Sequence, residues 1–492
     1  MKKTKLAALF LALAMLIAAL AGCTNTTPAD SGEPADPAAP AAPAAPAEEP
    51  AAEPDAEEPA AEGATVQLKL YMLPQDDDSD IVKQRFEFIR EKVETTFPNY
   101  EIEWTRMAPG TDYRQQYDKL LMSGDGPTLW NSLPFVDIQT RMRNGTIAEI
   151  TDYVVNWDLR NEGKVNPSIE EALHDEEGRW YAVPYAPYIM GMLYNKTAIE
   201  AGGGSTETVP ETWDEFAQVA QSLTDKDVPR FGYTLLGSDF CAWPLTPWVW
   251  SAGGEMVIPN GDGTYSIGFN QEAGVDAIMY MHDLVHKYGV TQTDLLESYD
   301  DYMSNMTVGY ACYGWGLPTS LDKEKLAAYD EVQENFGVIP IPGKEAGQAV
   351  GFAGGETWTM HPQATKEQMD ASWEILNLIS YDEEFLRELW QLENELGLLD
   401  PKPSTRQDLV EVKYSYATNW PEHWKEEFAA LNAIARPEPF CNEWNSLKDY
   451  IVQPFQQIIG DPDITREEAQ ALLDECAERL YTDFPEAYKK PA

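Results

Sequence analysis

The 492-residue chain carries 83 acidic and 35 basic residues, for a formal net charge of −48 at pH 7. This charge argues against nucleic-acid binding and against electrostatic adhesion to an anionic membrane, because both depend on Lys and Arg. It also disfavours an anionic solute, whereas the electrostatic field of the protein neither attracts nor repels a neutral solute.

The N-terminus has the composition of an export signal. Three lysines within the first five residues precede an apolar run, Leu6 to Ala21, that is too short for a comfortable membrane span. Cys23 follows the sequence Leu-Ala-Gly, which resembles a lipobox. We therefore expect residues 1–22 to be a lipoprotein signal peptide and Cys23 to carry the lipid. The alternatives are a plain signal peptide and a membrane anchor.

Residues 23–64 separate this signal from the folded body. After Cys23 they are mainly Ala, Pro, Glu and Asp, with no aromatic and no basic residue. Such a segment buries too little apolar area to offset its ordering entropy, so it is predicted to be disordered. Proline and like-charge repulsion extend it, which predicts a tether that holds the folded body clear of a lipid surface.

The folded body opens with a strand, a helix and a strand. Apolar periodicity predicts a strand from Val66 to Leu73, a helix from Ile81 to Thr96 and a second strand from Tyr100 to Trp104. A βαβ unit of this length predicts a parallel sheet in an α/β fold.

Three polar residues follow the predicted strands of this first part. Gln75 comes after the first strand, and Asn131 and Ser132 lie at the end of the strand that begins near Thr128. Ligands of open α/β sheets lie outside the carboxyl ends of the strands. We therefore expect these three side chains on the ligand face.

The acidic run from Asp76 to Asp80, with Glu87 at the twelfth position, invites comparison with a calcium loop. The position that should be glycine is Ile81, and Lys83 and Arg85 bring positive charge into the loop. Acids clustered at a helix N-terminus explain the run better.

The stretch from Arg179 to Lys196 is predicted to carry the chain between two lobes. Pro184 and Pro187 favour extended geometry, and a short apolar run follows Tyr188, as in a buried strand. The stretch resembles the first inter-lobe crossover of bacterial extracellular solute-binding proteins, especially the maltodextrin-binding kind. An ordinary core strand is the alternative.

Aromatic residues dominate two segments of the second half. Three tryptophans and two prolines between Asp239 and Trp250 predict an aromatic ligand loop, which includes Phe240. Gly314 and Gly316 around Trp315 predict a turn that presents the indole rather than burying it, the alternative being a core tryptophan. Capping boxes predict helices after Thr212 and Thr465, and Ser380 with Glu383 is predicted to cap another.

The cysteines and histidines indicate no cofactor. Cys241, Cys312, Cys441 and Cys476 lack CxxC spacing, and their pairing as disulfides or survival as buried thiols stays open. His282 and His286 approach the HExxH pattern of zinc proteases, but Asp replaces Glu and a third ligand is not evident, so a polar helix face is the preferred interpretation. No phosphate-binding loop is readable, and we expect no cofactor.

The resemblance to the solute-binding family covers residues 65–483 in collinear order. It rests on Ser123–Pro127, Trp180–Lys196, Ala242–Leu245 with Gly253 and Gly254, Tyr313–Trp315, Gly351–Trp358 and Trp444. It implies a type II periplasmic-binding-protein-like α/β fold, with two discontinuous lobes joined by a hinge around a ligand cleft. The expected boundaries are 65–187 and 351–398 for the first lobe, and 188–350 and 399–492 for the second.

Sugars present apolar C–H faces edged by hydroxyls, so a sugar site needs aromatic rings and polar edge groups. The resemblance and this chemistry together imply a set of ligand-binding residues: Gln75, Asn131, Ser132, Tyr188, Asp239, Phe240, Trp315, Glu356 and Trp444. Ser132 stands where the maltodextrin pattern has a tryptophan, and Tyr188 stands where it has an acid. These departures put maltodextrin itself in doubt.

The sequence therefore predicts a monomeric, lipid-anchored receptor of an ABC importer on the outer face of a single-membrane bacterium. It is predicted to capture an oligosaccharide and to deliver it to membrane permease subunits. A surface glycan hydrolase and an adhesive surface lipoprotein are the rival functions. A carboxylate pair for the hydrolase is easy to find among 83 acids, but nothing in the sequence fixes which two would face each other, so their abundance is no evidence.

Overall fold

The computed structural model describes residues 65–108, 113–318, 332–418 and 420–491. The predicted signal peptide, Cys23 and the predicted tether lie outside the described residues. Nine of the described strands form one continuous sheet, whose order is β2-β1-β3-β10-β4-β8-β5, with β11 on β10 and β9 on β4. Their bounds are β1 Val66–Leu70, β2 Tyr100–Trp104, β3 Leu129–Pro134, β4 Val183–Asn195, β5 Phe231–Tyr233, β8 Ala311–Gly316, β9 Phe336–Ile339, β10 Gly351–Met360 and β11 Ala435–Pro437.

The first lobe contains the predicted parallel unit. Strand β1 pairs in parallel with β2 and with β3, as the βαβ pattern predicts. Strand β10 then adds to β3 in the antiparallel direction. The helices of this lobe are α1 Asp80–Thr96, α2 Tyr113–Ser123, α3 Ile138–Asn144, α4 Thr151–Val155, α5 Asp158–Asn161, and later in the chain α12 Lys366–Tyr381, α13 Glu383–Glu395 and α14 Val410–Tyr416.

The second lobe is built around β8. This strand pairs in parallel with β5 and antiparallel with β4, and β9 also pairs with β4. A separate hairpin is formed by β6 Val257–Pro259 and β7 Tyr265–Ile267. The helices are α6 Lys196–Ala201, α7 Trp213–Leu223, α8 Ala242–Ser251, α9 Glu272–His286, α10 Tyr299–Thr307, α11 Val332–Asn335, α15 Glu422–Ile434, α16 Trp444–Gly460 and α17 Arg466–Asp483.

Two long antiparallel strands carry the chain between the lobes. Strand β4 pairs with β10 from Val183 to Met190, and with β8 and β9 from Gly191 to Asn195. The register shifts between Glu356 and Thr357, which leaves Tyr185 without a partner across β10. A single continuous strand thus belongs to both lobes, so a hinge motion must bend or twist it.

Side-chain caps begin several helices where the sequence predicts them. Thr212 with Glu215, and Thr465 with Glu468, form complete capping boxes at the starts of α7 and α17. The predicted cap at Ser380 is wrong, because Ser380 lies inside α12 and its Oγ accepts from Trp358 Nε1 at 2.8 Å. Asp382 caps α13 instead, accepting from the Phe385 N–H at 2.8 Å.

The segment 399–418, expected in the second lobe, packs against the first. The backbone N–H of Asn166 donates to Thr405 O at 2.7 Å, and Arg406 Nη1 donates to Tyr381 O at 2.7 Å. Trp420 Nε1 also donates to Leu399 O at 3.0 Å. These hydrogen bonds join the segment to α12 and to residues 163–166 of the first lobe. The chain therefore enters the second lobe only after this segment.

The predicted aromatic loop after Asp239 is a helix. Helix α8 forms despite Pro244 and Pro247, and Trp248 and Trp250 are buried in the core. The indole of Trp248 packs edge-on against Tyr233, and Trp250 stacks on Phe352 at 5.7 Å between ring centroids. Apolar burial therefore outweighs the helix-breaking tendency of proline here.

Candidate functional site

One face of the crossing strands carries a row of aromatic side chains. Gly354 pairs with Tyr188, Phe352 with Met190, and Trp315 of β8 with Met192. Because alternate residues of a strand share a face, Tyr188, Phe352 and Trp315 lie on the same side of the sheet. A Cβ at Gly354 would overlap the Tyr188 ring, so glycine is needed for the ring to lie across β10.

Trp315 does not present its indole, contrary to the prediction. It is 1% exposed, and the rings of Trp243 and Phe352 pack against it with centroid distances of 6.0 and 5.2 Å. Trp243, on α8, is half-buried and also contacts Phe352. Trp243 therefore covers Trp315 and supplies the accessible ring at this position.

Phe240 is the most accessible of the predicted aromatic residues. Its side chain is 55% exposed and lies 6.2 Å from Tyr299, measured between ring centroids. Phe240 O accepts from the Trp243 N–H at 3.0 Å, which places the two aromatic residues on the same turn. Asp239 beside it is exposed, as a polar edge group of a solute site should be.

Trp444 is buried, contrary to its predicted stacking role. Its indole Nε1 donates to Glu438 Oε1 at 2.7 Å, and Lys448 Nζ donates to the same oxygen at 3.0 Å. The Glu438 N–H in turn donates to Ala353 O at 3.0 Å. This network anchors the start of α16 to β10, next to the Tyr188 face.

The two lobes touch where the end of β3 meets the start of α16. Asp137 is buried and accepts from Arg114 Nε at 2.8 Å and from Asn445 Nδ2. Asn442 accepts from Thr140 Oγ1 at 3.4 Å. These contacts join side chains of both lobes beside Trp444, so any motion that separated the lobes would have to break them.

The polar residues predicted at the strand ends serve two structural roles. Gln75 Nε2 donates to Met107 O at 2.8 Å, which ties the loop after β1 to the loop after β2. Ser132 Oγ donates to Asn131 Oδ1 at 3.2 Å. Asn131 is buried and Ser132 half-buried.

Glu356 lies two residues beyond Gly354 on β10 and pairs with Ala186, so it shares the face of the crossing strands that carries Tyr188. It lines a cavity of about 370 Å³ in the first lobe, together with Tyr185 and Arg85. Asn131 lies beside the Tyr185 side chain and so lies next to this cavity. Burial raises the pKa of the Glu356 carboxyl, and the positive charge of Lys402 opposes that rise.

A second cavity, of about 560 Å³, lies between the lobes. Its walls are α3 and residues 171–181 on one side, and the β6–β7 turn with residues 440–442 and 486–489 on the other. Six carboxylates and three cations line it, and none of the predicted ligand residues does. The accessible rings of Tyr188, Trp243 and Phe240 are therefore the better candidates for binding a sugar face.

The two motifs compared with metal sites have structural partners. His282 Nε2 donates to Asp461 O at 3.0 Å, and His286 Nε2 donates to Ile459 O at 2.8 Å, so both rings tie α9 to the end of α16. In the acidic run, Asp78 Oδ2 accepts from the Gln75 N–H at 2.7 Å. Within the described ranges, no three His, Cys, Asp or Glu side chains converge as a metal site would require.

Cys241, Cys312, Cys441 and Cys476 are free and buried, which answers the question that the sequence left open. Burial raises the pKa of all four thiols to about 12. Across the part of the chain that the structure describes, no helix is both long and apolar enough to cross a membrane.

Sequence reasoning missed Trp243, Tyr299 and Asp137 as site residues. Trp243 belongs to the Ala-Trp-Pro-Leu motif, and Tyr299 belongs to a run with two aspartates. The sequence therefore indicates both segments without identifying these two residues. Nothing in the sequence pairs Tyr299 with Phe240, because 59 residues separate them. Asp137 is recognisable only through its partners on α2 and α16.

Comparison with known proteins places the chain in a family. The family model described as bacterial extracellular solute-binding protein matches residues 89–397. A maltotriose-binding protein of Pyrococcus abyssi is 23% identical over 252 residues, which are 50% of this chain and 49% of that protein. The maltodextrin-binding protein MdxE of Bacillus subtilis is 24% identical over 229 residues, 42% of this chain and 50% of that one. The chain spans about half the length of the curated relatives it matches.

Solved structures share the fold over nearly their whole length. An ABC transporter solute-binding protein of Thermotoga lettingae, bound with α-D-tagatose, has a TM-score of 0.66 at 20% identity, over 85% of this chain and 99% of that one. The GacH receptor of Streptomyces glaucescens, solved unliganded and with acarbose, has a TM-score of 0.68 at 18% identity, over 86% and 99%. The predicted type II fold is confirmed.

Proposed function

The chain belongs to the bacterial extracellular solute-binding proteins, and on that premise we propose that it is the sugar receptor of an ABC importer. The observation that carries the sugar assignment is the group of accessible rings beside the crossing strands. Tyr188 and Trp243 are half-buried, and Phe240 is exposed next to Tyr299. Such rings match the apolar C–H faces of a saccharide.

The proposed ligand is an oligosaccharide, as the names of the curated relatives also support. Several rings spread from β4 to α10 offer more than one stacking position. Asp239 supplies a polar edge group beside Phe240, and the acidic charge of the chain does not oppose a neutral solute. Reversible binding of unaltered sugar, rather than hydrolysis, is the proposed activity.

Binding would favour a closed arrangement of the two lobes. The contacts from Asp137 to Asn445 and from Thr140 to Asn442 join the lobes beside the aromatic row. A solute that binds the closed arrangement more tightly shifts the population toward it. Membrane permease subunits are the proposed partners, and they would recognise this closed form.

The proposed location is the outer face of the cell membrane, with the chain held as a monomer by a lipid on Cys23. The Leu-Ala-Gly-Cys motif supports this anchor. Replacing Cys23 with alanine should release the protein from the membrane fraction. Metabolic labelling with palmitate should mark the natural protein and not the variant. Equal membrane retention of both would contradict the lipid anchor.

The solute assignment is tested by thermal unfolding of the purified protein against maltose, maltotriose, other oligosaccharides, peptides and polyamines. A sugar at about 100 times its Kd should add roughly 2.7 kcal/mol to the free energy of unfolding. Phe240→Ala should weaken that sugar about ten-fold, since loss of about 1.4 kcal/mol changes Kd by ten.

Tyr310→Ala is the matched control for this variant. Tyr310 is 45% exposed but precedes β8 at the end opposite Trp315. Its replacement should leave sugar affinity unchanged. A melting shift with peptides or polyamines alone would contradict the sugar assignment. Recovery of cleaved sugar after incubation would favour the hydrolase.

A further inference from the structure

The second lobe contains a cavity of about 530 Å³ between the ends of two helices and the loop that follows the first of them. Its walls are the last residues of α9 and α16, residues 289–296, Gly237 and Lys226. Of the described residues that line it, none belongs to the first lobe and none is a ring proposed to bind sugar. The cavity is therefore separate from the crossing strands and from the solute site proposed above.

Hydrogen bonds hold two walls of this cavity in place. Gln292 is buried, and its side chain forms two hydrogen bonds with the backbone of Leu235, at 2.7 and 3.0 Å. On the other side, His286 Nε2 donates to Ile459 O at 2.8 Å and joins the end of α9 to the end of α16. Because these walls are already ordered, a ligand that binds between them need not order them.

Lys226 places an ammonium group at the edge of the cavity, where the described residues give it no partner. Its Nζ makes no hydrogen bond and no ion pair with any residue that the structure describes, although the chain has 83 acidic residues. A Cβ at Gly289 would lie 3.0 Å from this Nζ, so the missing side chain of Gly289 leaves room for the ammonium over the loop. The ammonium is therefore available to an anionic group of a bound molecule.

Thr291 adds a hydroxyl to the wall of the cavity. The residue is 8% exposed, and its Oγ1 makes no hydrogen bond to any residue in the described ranges. Buried hydroxyls are nearly always hydrogen-bonded, because burial without a partner costs free energy. Thr291 follows Gly289 by two residues, so this hydroxyl and the ammonium of Lys226 belong to the same end of the loop.

The rest of the loop and α16 supply hydrogen-bond acceptors. Asp294 Oδ1 accepts from the Leu296 N–H at 3.1 Å, which fixes this carboxylate within the loop. Gln456 Nε2 donates to Gly237 O at 3.0 Å, which leaves its Oε1 as an acceptor. The C-terminal ends of α9 and α16 also face the cavity, and their backbone carbonyls favour a cation.

Apolar side chains form the floor of the cavity. Phe455 and Ile459 of α16 are 0% and 2% exposed, and Val285 of α9 lies beside them. Leu296 lines the cavity and is 59% exposed, so it offers apolar surface to a ligand. The volume lies within the range of roughly 300–1,000 Å³ that is typical of small-molecule sites.

We propose that this cavity binds a neutral α-amino acid with an aliphatic or aromatic side chain. The carboxylate of the ligand accepts from Lys226 Nζ and Thr291 Oγ1, and its ammonium donates to Asp294 and Gln456. Its side chain packs on Phe455. A zwitterion has no net charge, so the formal net charge of −48 does not oppose it, as it would oppose a monocarboxylate. The proposal goes beyond the proposed sugar receptor and does not depend on it, because the two sites share no residue.

Calorimetry on the full chain measures the binding of L-leucine and L-phenylalanine. Leucine is compared with 4-methylpentanoate, which lacks the ammonium, with isopentylamine, which lacks the carboxylate, and with glycine, which lacks the apolar side chain. At least one of the two amino acids should bind at one molecule per chain. The three comparison compounds should bind at least about ten-fold more weakly, because each leaves one part of the cavity without its partner.

Lys226→Met should weaken the amino acid by about 10- to 100-fold, as expected for loss of a charge-assisted hydrogen bond. Thr291→Val keeps the shape of the side chain and should weaken it by about five-fold. Lys287→Met is the matched control, since Lys287 is an exposed lysine that pairs with Asp283 and does not line the cavity. It should leave the affinity unchanged, and so should Phe240→Ala.

Three outcomes would overturn the proposal. These are no binding of either amino acid, equal binding by the natural protein and by both cavity variants, and loss of the amino acid in Phe240→Ala rather than in Lys226→Met. Failure of the oligosaccharide assignment has a different signature, because it would leave the natural protein without any response to oligosaccharides whatever the cavity binds. Lys226→Met should leave oligosaccharide binding unchanged.

Discussion

At the scale of single residues, the site depends on which rings reach solvent. Trp315 and Trp444 are side chains of the type that stacks on sugars, but both are packed inside the protein. Phe240 and Trp243 are accessible instead. Tyr188 owes its position across β10 to the missing side chain of Gly354. A ring is useful to a solute only when its face is left uncovered.

Gly354→Ala should lower solute affinity with little loss of stability. The added methyl overlaps the Tyr188 ring, a side chain that can rotate away at small cost. Calorimetry on the single variants and on the double variant with Tyr188→Ala gives the coupling between the two positions. If Gly354→Ala lowers the solute affinity by the same factor when Tyr188 is already alanine, overlap with the Tyr188 ring is not the cause of the loss.

Asp400→Asn should destabilise the protein by roughly 2 kcal/mol at pH 7. Burial opposes ionisation of Asp400, but Lys413 and Lys402 outweigh it and lower its pKa to about 2 from 3.8. Because the pKa of Asp400 is lower in the folded state than in the unfolded state, its ionised form stabilises the fold at pH values above the unfolded pKa. This stabilisation is lost as the pH falls from about 4 to 2.

Urea unfolding of the natural protein and of Asp400→Asn across this pH range checks the prediction, because the difference between them should shrink toward pH 2. Asp227→Asn, at an exposed aspartate, is the control and should change little at any pH. A difference that is constant from pH 7 to pH 2 would contradict the assignment.

At the scale of elements, helix starts follow local chemistry and strand crossings follow sheet pairing. The capping boxes at Thr212 and Thr465 occur where the sequence predicts them, because a cap involves only residues three apart. The sequence predicts the start of α13 two residues too early, because Ser380 and Asp382 are both good cap residues. In the structure, Ser380 Oγ accepts from Trp358 Nε1 and Asp382 forms the cap.

Asp382→Ala should destabilise the protein by about 1 kcal/mol, whereas Asp382→Ser should retain most of the stability. The alanine variant leaves the Phe385 N–H without its side-chain acceptor, and serine can replace it. Chemical denaturation measures both. Equal losses for alanine and serine would mean that Asp382 acts through its charge near the helix N-terminus rather than through the cap.

At the scale of the whole molecule, the two lobes are joined by β4 and β10 and by the contacts of Asp137. Under the proposed function, the crossing strands act as the hinge, and the Asp137 contacts on the side of α16 favour the closed arrangement. Because these contacts cross between lobes, their loss should act on the closing equilibrium rather than on the fold of either lobe.

Asn445→Ala should raise the Kd for the solute several-fold while leaving the melting temperature without solute nearly unchanged. The substitution removes the inter-lobe donor to Asp137 but keeps the Arg114 pair within the first lobe. Small-angle scattering should show a larger radius of gyration at subsaturating solute. Thr197→Ala, within the second lobe, should leave that radius as in the natural protein.

The sequence by itself determined the family, the βαβ start of the first lobe and the crossing strands, because periodicity, turn residues and caps act over short distances. Only the tertiary structure decided which aromatic rings are accessible, that Glu356 lines a cavity of the first lobe, and that residues 399–418 pack on that lobe. Those properties depend on residues far apart in the chain, such as Phe240 with Tyr299 and Asn166 with Thr405. Burial is a property of neighbours, and local composition does not specify neighbours across the fold.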